Sequence, residues 1–156
     1  MFQRNDIPQG PEPDSGVMHS YDGNNRTTTL RVIVADDCEG TLRAIEQLLA
    51  DSCTVIRAVS NGRELVGAAI AARPDVIVSD VNMPGITGIG AMQLLQDGGH
   101  RFPFVLVSAA PRDVSAWIEL GARCVVDKID MATDLVEAIE AAARGEVYIS
   151  RHALEE

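Results

Sequence analysis

Five short apolar runs recur along this chain, each separated from the next by a stretch long enough for one helix: Leu30–Ala35, Thr54–Val59, Val76–Asp80, Phe104–Ser108 and Cys124–Asp127. They are rich in valine and isoleucine and alternate little between polar and apolar side chains, the pattern of strands covered on both faces. Such a sheet needs a helix after nearly every strand, and the intervening segments supply them. Leu42, Ile45, Leu48 and Leu49 fall at helical spacing in the first, and Leu65, Val66, Ala69 and Ile70 in the second. The second closes before Arg73-Pro74, because a residue preceding proline avoids helical angles. The third carries Met92, Leu94 and Leu95 behind an entry crowded by Gly85, Gly88 and Gly90, and the fourth carries Val114, Trp117 and Ile118. The fifth runs from about Met131 to Arg144, with Leu135, Val136 and Ile139 inward, Asp130 as N-cap and Gly145 as stop.

Right-handed crossovers between such strands predict an α/β fold, a doubly wound (βα)5 flavodoxin-like three-layer sandwich with parallel sheet order 2-1-3-4-5. That order sets the first and third strands side by side. Asp36 and Asp37, which follow the first strand, therefore become neighbours of Asp80, which ends the third. Residues 1–29 hold only six apolar side chains among Pro, Gly, Asp, Asn, Ser and Thr. So little apolar surface does not offset the entropy of ordering, and a disordered leader is expected there. Residues 30–150 are then the folded domain, and 151–156 a short tail.

The ends of the strands carry the chemistry. Asp36, Asp37, Asp80, Ser108 and Lys128 all fall at the carboxyl rim of one sheet, where ligands of open α/β sheets bind. Two carboxylates about 4 Å apart repel by roughly 4 kcal/mol at an effective dielectric near 20, so three require a cation. An all-oxygen donor set without nearby His or Cys suits Mg²⁺ rather than zinc. Lys128 is the only lysine, against twelve arginines, and offers a compact point charge where a phosphoryl group would lie. Asp80 is the best-placed nucleophile, because Pro84 and Gly85 turn the chain behind it, and its attack on phosphorus would give an acyl phosphate. Ser108 supplies a hydroxyl that donates once a phosphoryl oxygen arrives, and the loop after it would move in response.

Composition narrows the class further. A net charge of −10 with no basic cluster disfavours direct binding to nucleic acid or to an anionic membrane. No apolar run approaches the roughly 20 residues of a membrane-spanning helix, and the first residues lack a signal-peptide pattern. Cys38, Cys53 and Cys124 are spaced for neither a disulfide framework nor a zinc site, which favours the reducing cytoplasm, with Cys53 and Cys124 buried. His19, His100 and His152 are scattered and read as surface residues.

Taken in order, Asp36-Asp37, Asp80, Met83-Pro84-Gly85, Ser108-Ala109 and Lys128 resemble the receiver domains of two-component response regulators, over about residues 30–150. The resemblance implies that Asp80 is the phosphoacceptor and that Asp36, Asp37, Asp80 and the Asn82 backbone carbonyl hold Mg²⁺. It implies that Ser108, Ala109 and Lys128 bind the phosphoryl oxygens. It further implies a sensor histidine kinase or phosphotransfer protein as partner, and a phosphorylation-linked homodimer through the fourth helix, fifth strand and fifth helix. The segments Gly121–Lys128 and Ala141–Ser150 resemble the subfamily that usually carries a C-terminal helix-turn-helix domain, which points toward transcriptional regulation. No such domain follows before Glu156, so the chain is either a stand-alone receiver or a segment of a longer protein. Val125 stands where many receivers have an aromatic switch residue, and Ile129 where many have proline. The alternative is a Mg²⁺-dependent phosphohydrolase with Asp80 as nucleophile, but such enzymes need a general acid two positions on, where Asn82 stands. A self-limiting switch, not a turnover enzyme, is the expectation.

Overall fold

A computed structural model describes residues 19–21 and 27–154. In chain order the elements are β1 (His19–Tyr21), β2 (Thr27–Ala35), α1 (Glu39–Leu49), β3 (Cys53–Val59), α2 (Gly62–Ala72), β4 (Val76–Asp80), α3 (Gly88–Asp97) and β5 (Phe104–Ser108). There follow α4 (Val114–Glu119), β6 (Cys124–Asp127), a 3-10 turn (Lys128–Asp130), α5 (Met131–Ala143), β7 (Tyr148–Ile149) and α6 (Arg151–Leu154). β2 lies inside the sheet, parallel to β3 on one side and to β4 on the other, and β5, β6 and β7 continue outward from β4, all in parallel. The five expected strands are β2 to β6, in the expected order 2-1-3-4-5.

The alternation hidden in the uniformly apolar strands becomes visible once both faces are covered. On β2, Val32 and Val34 join Ile45 and Leu49 of α1 and Leu135 and Ile139 of α5. Ile33 and Ala35 point the other way, into a cluster with Leu65 of α2, Met92 and Leu95 of α3, and Trp117 of α4. Val125 is wholly buried in that second cluster, and Cys53 and Cys124 are buried as expected.

Several boundaries and faces differ from expectation. β2 begins at Thr27, not Leu30, because Thr27–Thr29 pair antiparallel with β1; most of the expected leader lies outside the described residues. Ile70, Leu94 and Ile118 are exposed. In α3 the buried stripe is Gly88, Ala91, Met92 and Leu95, an i, i+3, i+4, i+7 series that Leu94 misses. Asp130 does occupy the N-cap position just before α5, as expected, but its side chain caps nothing there. Its carboxylate instead accepts from the backbone N–H of His152 at 3.1 Å and lies 2.7 Å from the His152 ring nitrogen Nδ1. His152 is thus partly exposed yet engaged, and His100 is half-buried, stacked on Phe102 with ring centroids 6.3 Å apart. Residues 151–154 of the expected tail are helical, with Ala153 buried in the sheet's second cluster. Among the described residues no helix is long and apolar enough to cross a membrane.

Candidate functional site

β2 and β4 run side by side with Ala35 opposite Ser79, so the chain leaves both strands at the same rim. Asp36 follows at once, its N–H bonded to the Val59 carbonyl of β3 at 3.1 Å, which fixes the direction of its side chain. One carboxylate oxygen, Oδ1, accepts from the N–H of Cys38 at 2.8 Å. The other, Oδ2, is buried and has no hydrogen bond of good geometry; its charged neighbour is the Lys128 ammonium, 3.0 Å away. The same ammonium lies 3.7 Å from Asp80 Oδ2. Lys128 thus bridges two buried carboxylates from the start of the 3-10 turn that ends β6.

Asp80 ends β4 and is 7% exposed. Its main chain is held on both sides: the Ser79 hydroxyl donates to the Asp80 carbonyl at 2.9 Å, and the next residue, Val81, donates to Val107 of β5 at 3.1 Å. Gly88 at the start of α3 packs so closely that a methyl group there would lie 2.2 Å from the Asp80 carbonyl oxygen. The loop between them turns at Gly85, as expected, and the φ of +74° there is a left-handed conformation that glycine adopts without strain. Burial raises the affinity of Asp80 for a proton, and the charge of Asp36 adds to it; Lys128 and the N–H of Asn82 work in the opposite direction without cancelling it. Lys128 shows the complementary behaviour. Burial would lower its pKa, but the close contact with the Asp36 carboxylate and the charges of Asp80 and Asp36 outweigh that and hold the ammonium above its usual range.

Asp36, Asp37 and Asp80 each bring one oxygen within 4.8 Å of the others. Three carboxylates with one ammonium leave two uncompensated charges, and one of the oxygens is a buried atom without a hydrogen-bond donor. Such a set of hard oxygens fits a hard divalent cation, in line with the acidic pocket expected from the sequence.

Ser108 ends β5, opposite Asp127 of β6, and is 2% exposed. Its oxygen accepts from the N–H of Ala110 at 3.2 Å, leaving its proton to be donated elsewhere. Ala109 and Asn82 are exposed in the adjoining loops. An apolar groove of about 440 Å³, lined by Leu48 of α1 with Lys128, Ile129 and Met131, opens beside the site, and Ile129 is 71% exposed. What the sequence reading missed is the support behind Lys128. Asp130, Ser150 and His152 meet under the 3-10 turn, and the polar pair Ser150 and His152 just beyond an apolar strand was the available signal.

The family model described as the response regulator receiver domain matches residues 32–140. The nitrate/nitrite response regulator protein homolog of Haemophilus influenzae is 35% identical over 125 residues, covering 78% of this chain and 60% of that protein. The nitrate/nitrite response regulator NarL of Escherichia coli is 30% identical, covering 76% of this chain and 57% of its own. The chain therefore spans about 60% of the length of these relatives. Among solved structures, a LuxR-family two-component response regulator from Aurantimonas is 28% identical with a TM-score of 0.69, covering 83% of this chain and 95% of that one. The isolated receiver domain of RcsB from Salmonella enterica, at 21% identity, shares the fold with a TM-score of 0.73, covering 82% and 98%. The family model covers more than two thirds of the chain and these structures share its fold, so the chain belongs to the response regulator receiver domain family of two-component signal transduction.

Proposed function

We propose that Asp80 is the phosphoacceptor of this receiver and that the domain works as a self-limiting switch. The observation that carries the reading is the Lys128 ammonium, 3.0 Å from Asp36 and 3.7 Å from Asp80, inside a cluster of three carboxylates. A carboxylate oxygen of Asp80 attacks the phosphorus of a phosphohistidine on a sensor kinase or phosphotransfer protein. The phosphorus–nitrogen bond breaks, the imidazole leaves with its electron pair, and an aspartyl phosphate forms. Asp36, Asp37, Asp80 and the Asn82 carbonyl would hold Mg²⁺, which neutralises charge on the transferring group. Lys128 and the Ser108 hydroxyl, with the Ala109 N–H, bind the phosphoryl oxygens. Water attack on the phosphorus later restores the carboxylate and releases phosphate.

The apolar groove at Leu48, Ile129 and Met131 supports a protein donor, since it offers an exposed apolar surface that reaches Lys128. The new phosphoryl charge draws in Ser108 and the loop after β5, and the altered face of α4, β6 and α5 selects the downstream partner or a second copy of the chain. The domain then acts in the cytoplasm, toward transcription through a DNA-binding partner or module, and does not itself touch DNA. No observation favours the phosphohydrolase, and Asn82 lacks the proton that enzyme requires.

Incubation with acetyl phosphate and Mg²⁺, followed by intact mass measurement, tests the reading. One phosphoryl adduct is expected on the wild type and none on Asp80→Asn. Absence of the adduct, its persistence in the variant, or steady turnover of many equivalents of donor would each overturn it.

A further inference from the structure

We propose that Asp130 is a positioning residue for Lys128, and that through Ser150 and His152 it couples the phosphoryl site to the C-terminal turn α6. The inference rests on Asp80 being the phosphoacceptor and adds a support on the far side of the lysine.

Asp130 is a buried carboxylate, 8% exposed, that neither caps α5 nor faces the acidic cluster. Its two oxygens are taken by the C-terminal segment: Oδ2 accepts from the N–H of His152 at 3.1 Å, and Oδ1 lies 2.7 Å from His152 Nδ1. The hydroxyl of Ser150, a residue only 1% exposed, also bonds this carboxylate. The same Ser150 oxygen accepts from the N–H of Asp127 at 2.9 Å. Residues 150–152 therefore grip the chain on both sides of Lys128, one position before it and two positions after it. They are themselves anchored, because the N–H of Ser150 bonds Val125 at 2.9 Å and Ala153 is buried in the core.

A lysine reaches its target through four rotatable bonds, so its placement is only as exact as the backbone that carries it. Here the ammonium end is set by Asp36 and Asp80, and the backbone end by Ser150 and by His152 through Asp130. When phosphoryl oxygens appear on Asp80, the strongest attraction on Lys128 shifts from Asp36 toward them. Any movement of the 3-10 turn that follows is opposed or transmitted by the 150–152 grip. Coupling of this kind is reciprocal: what loosens α6 must alter the site, and what fills the site must alter α6.

The test compares wild type with His152→Ala, Ser150→Ala and the double variant, in the same chain, well below their melting temperatures. With acetyl phosphate and Mg²⁺, the double variant is expected to form the Asp80 adduct at least threefold more slowly. Asp130→Asn should be slowed similarly, while the more conservative His152→Asn, which keeps a side-chain donor toward Asp130, should recover part of the rate. In the wild type, beryllofluoride with Mg²⁺ should change amide exchange over residues 150–154 at least threefold, and the double variant should lose that response. Unchanged adduct rates in folded variants, or exchange at 150–154 indifferent to beryllofluoride, would overturn the coupling while leaving the phosphoacceptor reading intact. Should the wild type form no adduct at all, both fall together, which separates the two failures.

Discussion

Asp80 carries a conflict that its neighbours only partly resolve. Burial and the nearby charge of Asp36 make it harder to ionise than an ordinary carboxylate, despite the help of Lys128. An acid whose folded pKa lies above its usual value costs stability above that pKa, and the cost disappears as pH falls through it. Asp80→Asn should therefore be more stable than wild type at neutral pH without Mg²⁺, by about 0.5–2 kcal/mol. The difference should shrink as pH falls into the range where Asp80 takes up its proton. Millimolar Mg²⁺ should raise the melting temperature of the wild type more than that of the variant. Thermal denaturation across pH, with and without Mg²⁺, checks this, and a variant less stable without the ion would refute it. The residues at this scale were legible wherever a strand end pointed at them: Asp36, Asp80, Ser108 and Lys128 each close an apolar run. Asp130 was not. Its position before a helix has a ready local explanation as a cap, and nothing local signals that a residue twenty-two positions later takes its carboxylate instead.

Elements fix these side chains only as well as their own joins are built. The join between β4 and α3 is the tightest at the site: at Gly88 a methyl group would meet the Asp80 carbonyl oxygen at 2.2 Å and the Ser79 hydroxyl at 2.8 Å. Gly85, three residues earlier, has open space around it and is constrained by its φ of +74° alone. Two substitutions thus separate two mechanisms. Gly88→Ala should cost about 1–3 kcal/mol through overpacking and slow phosphorylation by displacing Asp80. Gly85→Ala should cost roughly 1 kcal/mol through backbone strain and leave the acceptor in place. Denaturant titration paired with adduct formation checks both. The long, strongly apolar strands were readable from sequence, whereas β7 has two residues and α6 four, too few for any period to show. The start of β2 had a signal in Thr27–Thr29, three β-branched residues in a row, that the surrounding Asn, Gly and Asp obscured.

The molecule as a whole is two apolar layers separated by one sheet. Leu106 of β5 faces α2, α3 and α4, and Leu135 of α5 packs on the opposite side; both are fully buried. Each truncation to alanine should cost about 2–5 kcal/mol, and the double variant should come close to the sum, because the sheet keeps the two cavities from collapsing into one another. Equilibrium unfolding of the two singles and the double measures this, and a strongly sub-additive double would mean that the layers are not independent. The strand order was legible for a chiral reason: right-handed crossovers leave few ways to lay five parallel strands with helices on both faces. That order also dictates which polar ends meet. It has a practical corollary. The sole lysine of these 156 residues is Lys128, and its side chain is 24% exposed at the rim of the site. Amine-directed acylation or carbamylation therefore has one side-chain target in this chain, so a reagent used merely to tag or immobilise the protein would erase the charge that bridges Asp36 and Asp80.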